Sequence, residues 1–156
     1  MTPRSPRSDR PVPSSADALA RMARQRRRDT KPELALRRLL HQQGLRYRVD
    51  CPALVDSRRR HDLVFTKART AVEVRGCFWH SCPLHATAPK ANAEWWSAKL
   101  AANVRRDADT ARQLETAGWA LVVVWEHEDT RMAAERVAAV VRSRLPGHAA
   151  VVTPAV

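Results

Sequence analysis

Four residues able to bind a soft or borderline metal fall within nine positions: Cys77, His80, Cys82 and His85, in the run Gly76-Cys77-Phe78-Trp79-His80-Ser81-Cys82-Pro83-Leu84-His85. That density of thiol and imidazole points to tetrahedral zinc. His127, in Trp125-Glu126-His127, is a fifth candidate from a distant part of the chain. Tetrahedral zinc takes four ligands, so one candidate is left for other work. His80 is that residue, because it lies between the ligand positions and a carboxylate-bearing strand. Cys77, Cys82, His85 and His127 are assigned to zinc, and His80 is released as a general base, a task suited to the near-neutral titration of an imidazole. The chain has three cysteines, an odd number that favours metal ligation or free thiols over a disulfide framework. Cys51 falls in a basic loop and reads as a bystander.

The second chemical group is acidic. His61-Asp62 opens one expected strand and Glu73-Val74-Arg75 closes the next. In a hairpin of this size, the end of the second strand lies beside the start of the first, so Asp62 and Glu73 can converge. Two carboxylates and the Val74 carbonyl would form an oxygen-rich site of the kind Mg²⁺ prefers, able to activate water and to stabilise charge on a phosphate. The competing structural reading makes Asp62 a turn residue, Glu73 a solvent-facing strand position and Glu33 the acid of a helix capping box.

The elements that must position these groups are legible from periodicity. A short helix is expected from Ala16 to about Arg24. Thr30 and Glu33 have capping-box spacing, and Leu34, Leu36, Leu39 and Leu40 give the next helix an apolar face up to Gly44. Leu45–Val49 reads as a strand, Asp50–Arg60 as a basic loop, and His61–Thr66 and Thr70–Val74 as paired strands. The stretch from Arg75 to Ala91 has no period. A long helix from about Ala93 to Ala117 follows, then a strand over Trp119–Trp125 whose run Leu121-Val122-Val123-Val124 suggests a buried central position. An amphipathic helix from about Thr130 to Leu145 ends the order, which describes an α/β sandwich with a mixed sheet.

The 156 residues carry 28 Lys+Arg against 16 Asp+Glu, a formal net charge of +12. This is one domain, with no apolar run near the roughly 18 residues of a membrane span and no secretory signal, so a soluble cytoplasmic protein is expected. Residues 1–28 hold eight Arg against Asp9 and Asp17, which puts half of the charge in an N-terminal arm. Such a footprint suits a protein that neutralises phosphates. Among eight aromatic residues, Phe78, Trp79, Trp95 and Trp96 lie in the same stretch as the Cys/His cluster. Phe78 and Trp79, in an irregular segment, are expected to contact bases, whereas Trp119 and Trp125 are expected in the core.

Gly76-Cys77-Phe78-Trp79-His80, with Arg28-Asp29-Thr30 upstream and Asn103-Val104-Arg105-Arg106-Asp107, Gly118-Trp119 and Val124-Trp125-Glu126 downstream, closely resembles the very short patch repair (Vsr) DNA mismatch endonucleases. The resemblance runs from about Met22 to Leu145. It implies a restriction-endonuclease-like α/β fold, a mixed sheet flanked by helices with a structural zinc site. It also implies nicking of double-stranded DNA on the 5′ side of the thymine in a T:G mismatch left by 5-methylcytosine deamination. By the same resemblance, Asp62 is the metal-binding aspartate, His80 activates the attacking water, and Glu33 is the helix glutamate near the active site. Cys77 and the residues after it fall on zinc ligands, with His127 where another member has cysteine, and Phe78, Trp79 and Trp96 intercalate beside the mismatch.

The sequence departs from that pattern at His61, where proline is usual, at Glu73, usually apolar, and at Arg75, usually His or Asp. The zinc spacing, Cys-x4-Cys-x2-His, also differs. Asp62 with Glu73-Val74-Arg75 looks more like the Asp…Glu-x-Lys site of restriction-type nucleases, with Arg for Lys, and Arg75 joins the expected DNA contacts. Mg²⁺ held by Asp62, Glu73 and Val74 and a structural Zn²⁺ are the expected cofactors, and Asp62, His80, Glu33 and Glu73 the expected catalytic set. The expected organisation is a disordered basic arm over residues 1–15, an endonuclease domain over 16–147 and a flexible tail over 148–156. The expected partner is double-stranded DNA with a T:G mismatch, with mismatch-repair proteins as further candidates, for a nucleoid-associated monomer that engages no membrane. The alternatives are a restriction-type nicking enzyme without mismatch preference and a zinc-containing DNA-binding module without catalysis.

Overall fold

The computed structural model describes residues 12–13, 15–24 and 28–147, with side chains of 21–24 left out. Most of the expected arm over 1–15 and all of the expected tail over 148–156 lie outside the described residues.

The first two helices are α1 (Ala16–Arg24) and α2 (Lys31–Gln42). The periodicity of α2 works as expected on one side only: Leu36 and Leu40 are fully buried, Leu39 packs against them, and Leu34 lies outside the main core. Its start differs from a reciprocal capping box. Thr30 makes no side-chain cap to the backbone. Its hydroxyl donates to Glu33 Oε1 at 2.9 Å, and Glu33 Oε2 accepts the Asp29 N–H at 2.8 Å. One buried carboxylate thus satisfies an N-terminal backbone donor in place of the hydroxyl.

Four strands follow or interleave: β1 (Arg48–Pro52), β2 (Arg60–Phe65), β3 (Thr70–Arg75) and, after the long helix α3 (Ala93–Thr116), β4 (Ala120–Trp125). They form a sheet in the order β1-β2-β3-β4, antiparallel up to β3, with β4 parallel to β3. The first strand begins three residues later than expected and takes in Asp50, Cys51 and Pro52, so Cys51 faces His61 across the ladder and does not lie in a loop. Leu45 is withdrawn because it is buried in the core and its N–H closes the α2 C-terminus on the Leu40 carbonyl.

The apolar run of β4 occupies the edge of the described sheet, not its centre. Its hydrophobicity on both faces has another cause. Val122 and Val124 enter the core, while the opposite face lies under α3. Trp119 and Trp125 are half-buried and stand outside that core, contrary to the expectation. The last helix, α4 (Thr130–Ser143), begins with Asp129 accepting the Met132 N–H at 2.9 Å and buries Ala133, Ala134, Val137, Ala138 and Val141 against α2 and the sheet. Truncating a fully enclosed side chain here, such as Leu40→Ala, would cost about 2–5 kcal/mol.

α3 carries a stripe at 103, 107, 110 and 114, a helical 4-3-4 spacing that keeps four residues on one face. Leu114, Thr110 and Asn103 on that stripe are buried. Gly118 ends the helix in the left-handed region at φ +73°, which glycine adopts without strain, and turns the chain into β4. None of the described helices is long and apolar enough to cross a membrane.

Candidate active site and metal cluster

The β2–β3 ladder pairs as far as Leu63 opposite Val72. Beyond that point the Val74 N–H donates to the Asp62 carboxylate, Oδ2, at 2.7 Å. The strands therefore give way where the acidic residues stand, and Asp62 is held against the Val74 backbone. Burial pushes the Asp62 carboxyl up to about 6, and the charges of Glu33 and Glu73 add to the rise. The Val74 hydrogen bond and the charge of Arg37 oppose it. Oδ1 and the adjoining backbone present hard oxygen atoms, and a buried carboxylate under this electrostatic load fits a divalent cation such as Mg²⁺.

Glu73 is oriented differently from the expectation of a ligand turned to a metal beside Asp62. Its Oε1 accepts from His61 Nδ1 at 3.0 Å, and its Oε2 accepts from Arg75 Nε and Nη2 at 3.0 and 2.7 Å. Burial alone would raise the Glu73 pKa, but the His61 and Arg75 hydrogen bonds outweigh it and hold the carboxyl below its usual range. The Arg75 side chain, expected among the DNA contacts, is 13 % exposed and paired with Glu73. Glu33 is likewise engaged, with Asp29, Thr30 and Arg37, whose Nη2 lies at 3.2 Å. It acts on Asp62 by its charge.

His80 follows a tight turn in which its N–H reaches the Gly76 carbonyl at 3.2 Å and the Cys82 N–H reaches that of Cys77 at 2.9 Å. Its Nδ1 lies 2.6 Å from Asp107 Oδ2 on α3. With the carboxylate as acceptor, the proton sits on Nδ1 and Nε2 keeps its lone pair, the tautomer a general base needs. Asp107 is a member of the candidate site that side-chain chemistry along the sequence did not assign. Its signal was the 103/107/110/114 stripe, which aims a lone acid at the sheet from a helix otherwise facing it with Asn, Thr and Leu.

The same turn assembles a second cluster. Ligand atoms of Cys77, Cys82, His85 and His127 lie within 4.8 Å of one another, the one such group of three or more Cys, His, Asp or Glu among the described residues. His127 Nδ1 is 3.1 Å from Cys77 Sγ and 3.7 Å from Cys82 Sγ, and His85 Nδ1 is 4.0 Å from Cys82 Sγ. Tetrahedral ligands at zinc-type bond lengths stand about 3.5 Å apart, so two thiols and two imidazoles at these separations fit a zinc-sized ion. Burial, followed by Cys82 and Glu126, pushes the Cys77 thiol up to about 11, so a thiolate there depends on a cation beside it. Glu126, unassigned from sequence, orients the turn by accepting the Cys77 N–H at 2.6 Å. Trp125 stacks on His127, which explains its place outside the core.

Between the two clusters, Phe78, Trp79, Trp95 and Trp96 form one half-buried aromatic group. Phe78 lies 5.1 Å from Trp79 and 5.3 Å from Trp96, and Trp95 is 4.9 Å from Trp96, all edge-to-face. Asn103 Nδ2 donates to the Trp79 carbonyl at 3.0 Å and fixes this segment to α3. The structure thus unites the expected base-contacting residues with Trp95.

Residues 13–85 match the family model described as DNA mismatch endonuclease Vsr. The chain is 44% identical over 133 residues to the type II nicking enzyme V.NaeI of Lentzea aerocolonigenes, covering 84% of this chain and 78% of that one. It is 39% identical over 103 residues to the type II nicking enzyme V.NmeAIP of Neisseria meningitidis, covering 65% and 71%. It is also 38% identical over 101 residues to the DNA mismatch endonuclease Vsr of Escherichia coli K12, covering 64% and 62%.

Proposed function

We propose, from the premise that this chain belongs to the Vsr family of DNA mismatch endonucleases, that it nicks double-stranded DNA 5′ of the thymine in a T:G mismatch. The observation that carries the reading is the Asp107–His80 pair, linked through Arg75 to the end of β3 where Asp62 is held. Asp62, with the Val74 backbone, is the holder of the catalytic cation. Mg²⁺ bound there would supply charge stabilisation to the phosphoryl oxygens. His80 Nε2 takes the proton of the attacking water, Asp107 keeps the ring in the productive tautomer, and one P–O bond of the backbone breaks as the new one forms. The Phe78, Trp79 and Trp96 rings wedge beside the mismatch, where unstacking is least costly. Cys77, Cys82, His85 and His127 hold a structural Zn²⁺ that fixes the turn carrying His80.

The similarity to type II nicking enzymes favours a second reading, a restriction-type nicking enzyme without mismatch preference. Single-turnover nicking of otherwise identical T:G and C:G duplexes with Mg²⁺ separates the two. Cleavage confined to the T:G duplex supports the first, and equal cleavage supports the second.

A further inference from the structure

His61, Glu73 and Arg75 touch one another in sequence order. His61 Nδ1 occupies one oxygen of Glu73, and Arg75 Nε and Nη2 occupy the other. A guanidinium offers three nitrogens in one plane. With two committed to Glu73, the third, Nη1, is aimed at Asp107 and stands 3.8 Å from Oδ2, the oxygen that receives His80 Nδ1. The chain His61, Glu73, Arg75, Asp107, His80 therefore runs from β2 through β3 and α3 to the turn that carries His80, with an ion-pair contact as its Arg75–Asp107 link.

Its members are enclosed: the side chains of His61, Glu73, Arg75 and Asp107 are 3 %, 16 %, 13 % and 13 % exposed. In such surroundings an ion pair is screened little, and a charge without its partner is costly. Asp107 has two demands on one oxygen. Arg75 restricts where that oxygen can sit, and Glu73 restricts Arg75.

We infer that Glu73 and Arg75 are positioning residues for the His80–Asp107 pair, and that Glu73 is not a ligand of the catalytic cation. This rests on the proposed roles of Asp62 and His80. A ligand role would leave Glu73 a single free lone-pair site on Oε1, since His61 and Arg75 already take the other three.

The test compares wild type, Glu73→Gln, Arg75→Gln, Asp107→Asn and the Glu73→Gln/Asp107→Asn pair on the duplex that wild type nicks. The expected result is a kcat loss of about tenfold to a hundredfold for Glu73→Gln and Arg75→Gln, the range found when an orienting partner is removed. KM for DNA and the half-saturating Mg²⁺ concentration stay unchanged, and the double variant is no slower than Asp107→Asn alone. In imidazole NMR spectra without added Mg²⁺, recorded at a temperature where the variant is still folded, Glu73→Gln shifts the His80 Nδ1 proton.

A rise in half-saturating Mg²⁺ with kcat recovered at saturation would make Glu73 a ligand and overturn the inference. So would fully additive losses, or an unmoved His80 signal in a variant that has lost activity. A wild-type protein that nicks no duplex would overturn the proposed function and this inference with it. A wild-type protein that nicks, beside Glu73→Gln with unchanged kcat, would overturn this inference alone.

Discussion

Replacing Asp62 by Asn should make the protein more stable while removing its activity. At pH 7.5 the native state keeps an ionised carboxylate where burial, and then Glu33 and Glu73, oppose the charge. The rise from 3.8 to about 6, at 1.36 kcal/mol per pH unit, amounts to at most about 3 kcal/mol. The folded value lies above the unfolded one, so the native state binds this proton more tightly. The resulting stabilisation is complete below pH 3.8 and is lost as pH rises through about 6. Asn keeps an oxygen for the Val74 N–H and carries no charge.

Thermal and urea unfolding without added Mg²⁺ should show Asp62→Asn more stable than wild type by about 1–3 kcal/mol at pH 7.5. At about 2–4 °C per kcal/mol for a chain of this size, the difference is readily measured. It should shrink through pH 6 and vanish near pH 4. Added Mg²⁺ should narrow it at pH 7.5, because only wild type gains from binding. A variant less stable than wild type at pH 7.5, or a difference that ignores pH, would refute the reasoning.

His80→Ala should abolish nicking while duplex affinity in a binding assay persists, and Asp107→Asn should lower kcat by about 10–100-fold with KM held; normal turnover in either would remove the dyad from the mechanism. The purified protein should contain one zinc per chain by elemental analysis, and Cys82→Ala should lose that zinc and melt well below wild type; full thermal stability without zinc would count against the cluster. Trp96→Ala should cut the preference for T:G over C:G duplexes in competition binding, by an amount set by the roughly 1–3 kcal/mol of one base–aromatic stack; an unchanged preference would place the mismatch contact elsewhere.

Local spacing revealed the groups whose chemistry is local. Cys77, Cys82 and His85 share one turn, and the Trp125-Glu126-His127 segment follows β4, so their convergence needed only the parallel pairing of β3 and β4. Asp62 was legible for a similar reason, since the register that pairs Leu63 with Val72 brings the end of β3 to it. What could not be read was the competition among partners. Glu73 looked like a ligand because it interrupts an apolar strand, but that pattern says nothing of His61 and Arg75, which occupy both of its oxygens.

Asp107 and Glu126 act across 27 and 49 residues of chain, through the packing of α3 and β4 on the sheet. The 103/107/110/114 stripe turns Asp107 toward the sheet, but no short-range period names His80 as its partner or reports the Glu126 contact. The β4 run suggested a central strand because hydrophobicity on both faces measures cover, and α3 supplies on one side the cover that a neighbouring strand does not.

The central claim is most directly tested by strand-specific nicking of a single end-labelled T:G duplex and its matched C:G counterpart, with wild type and Asp62→Asn side by side in Mg²⁺. The account predicts one nick, 5′ of the mismatched thymine, made by wild type only and absent from the matched duplex. Equal cutting of both duplexes, or nicking by Asp62→Asn at the wild-type rate, would contradict it.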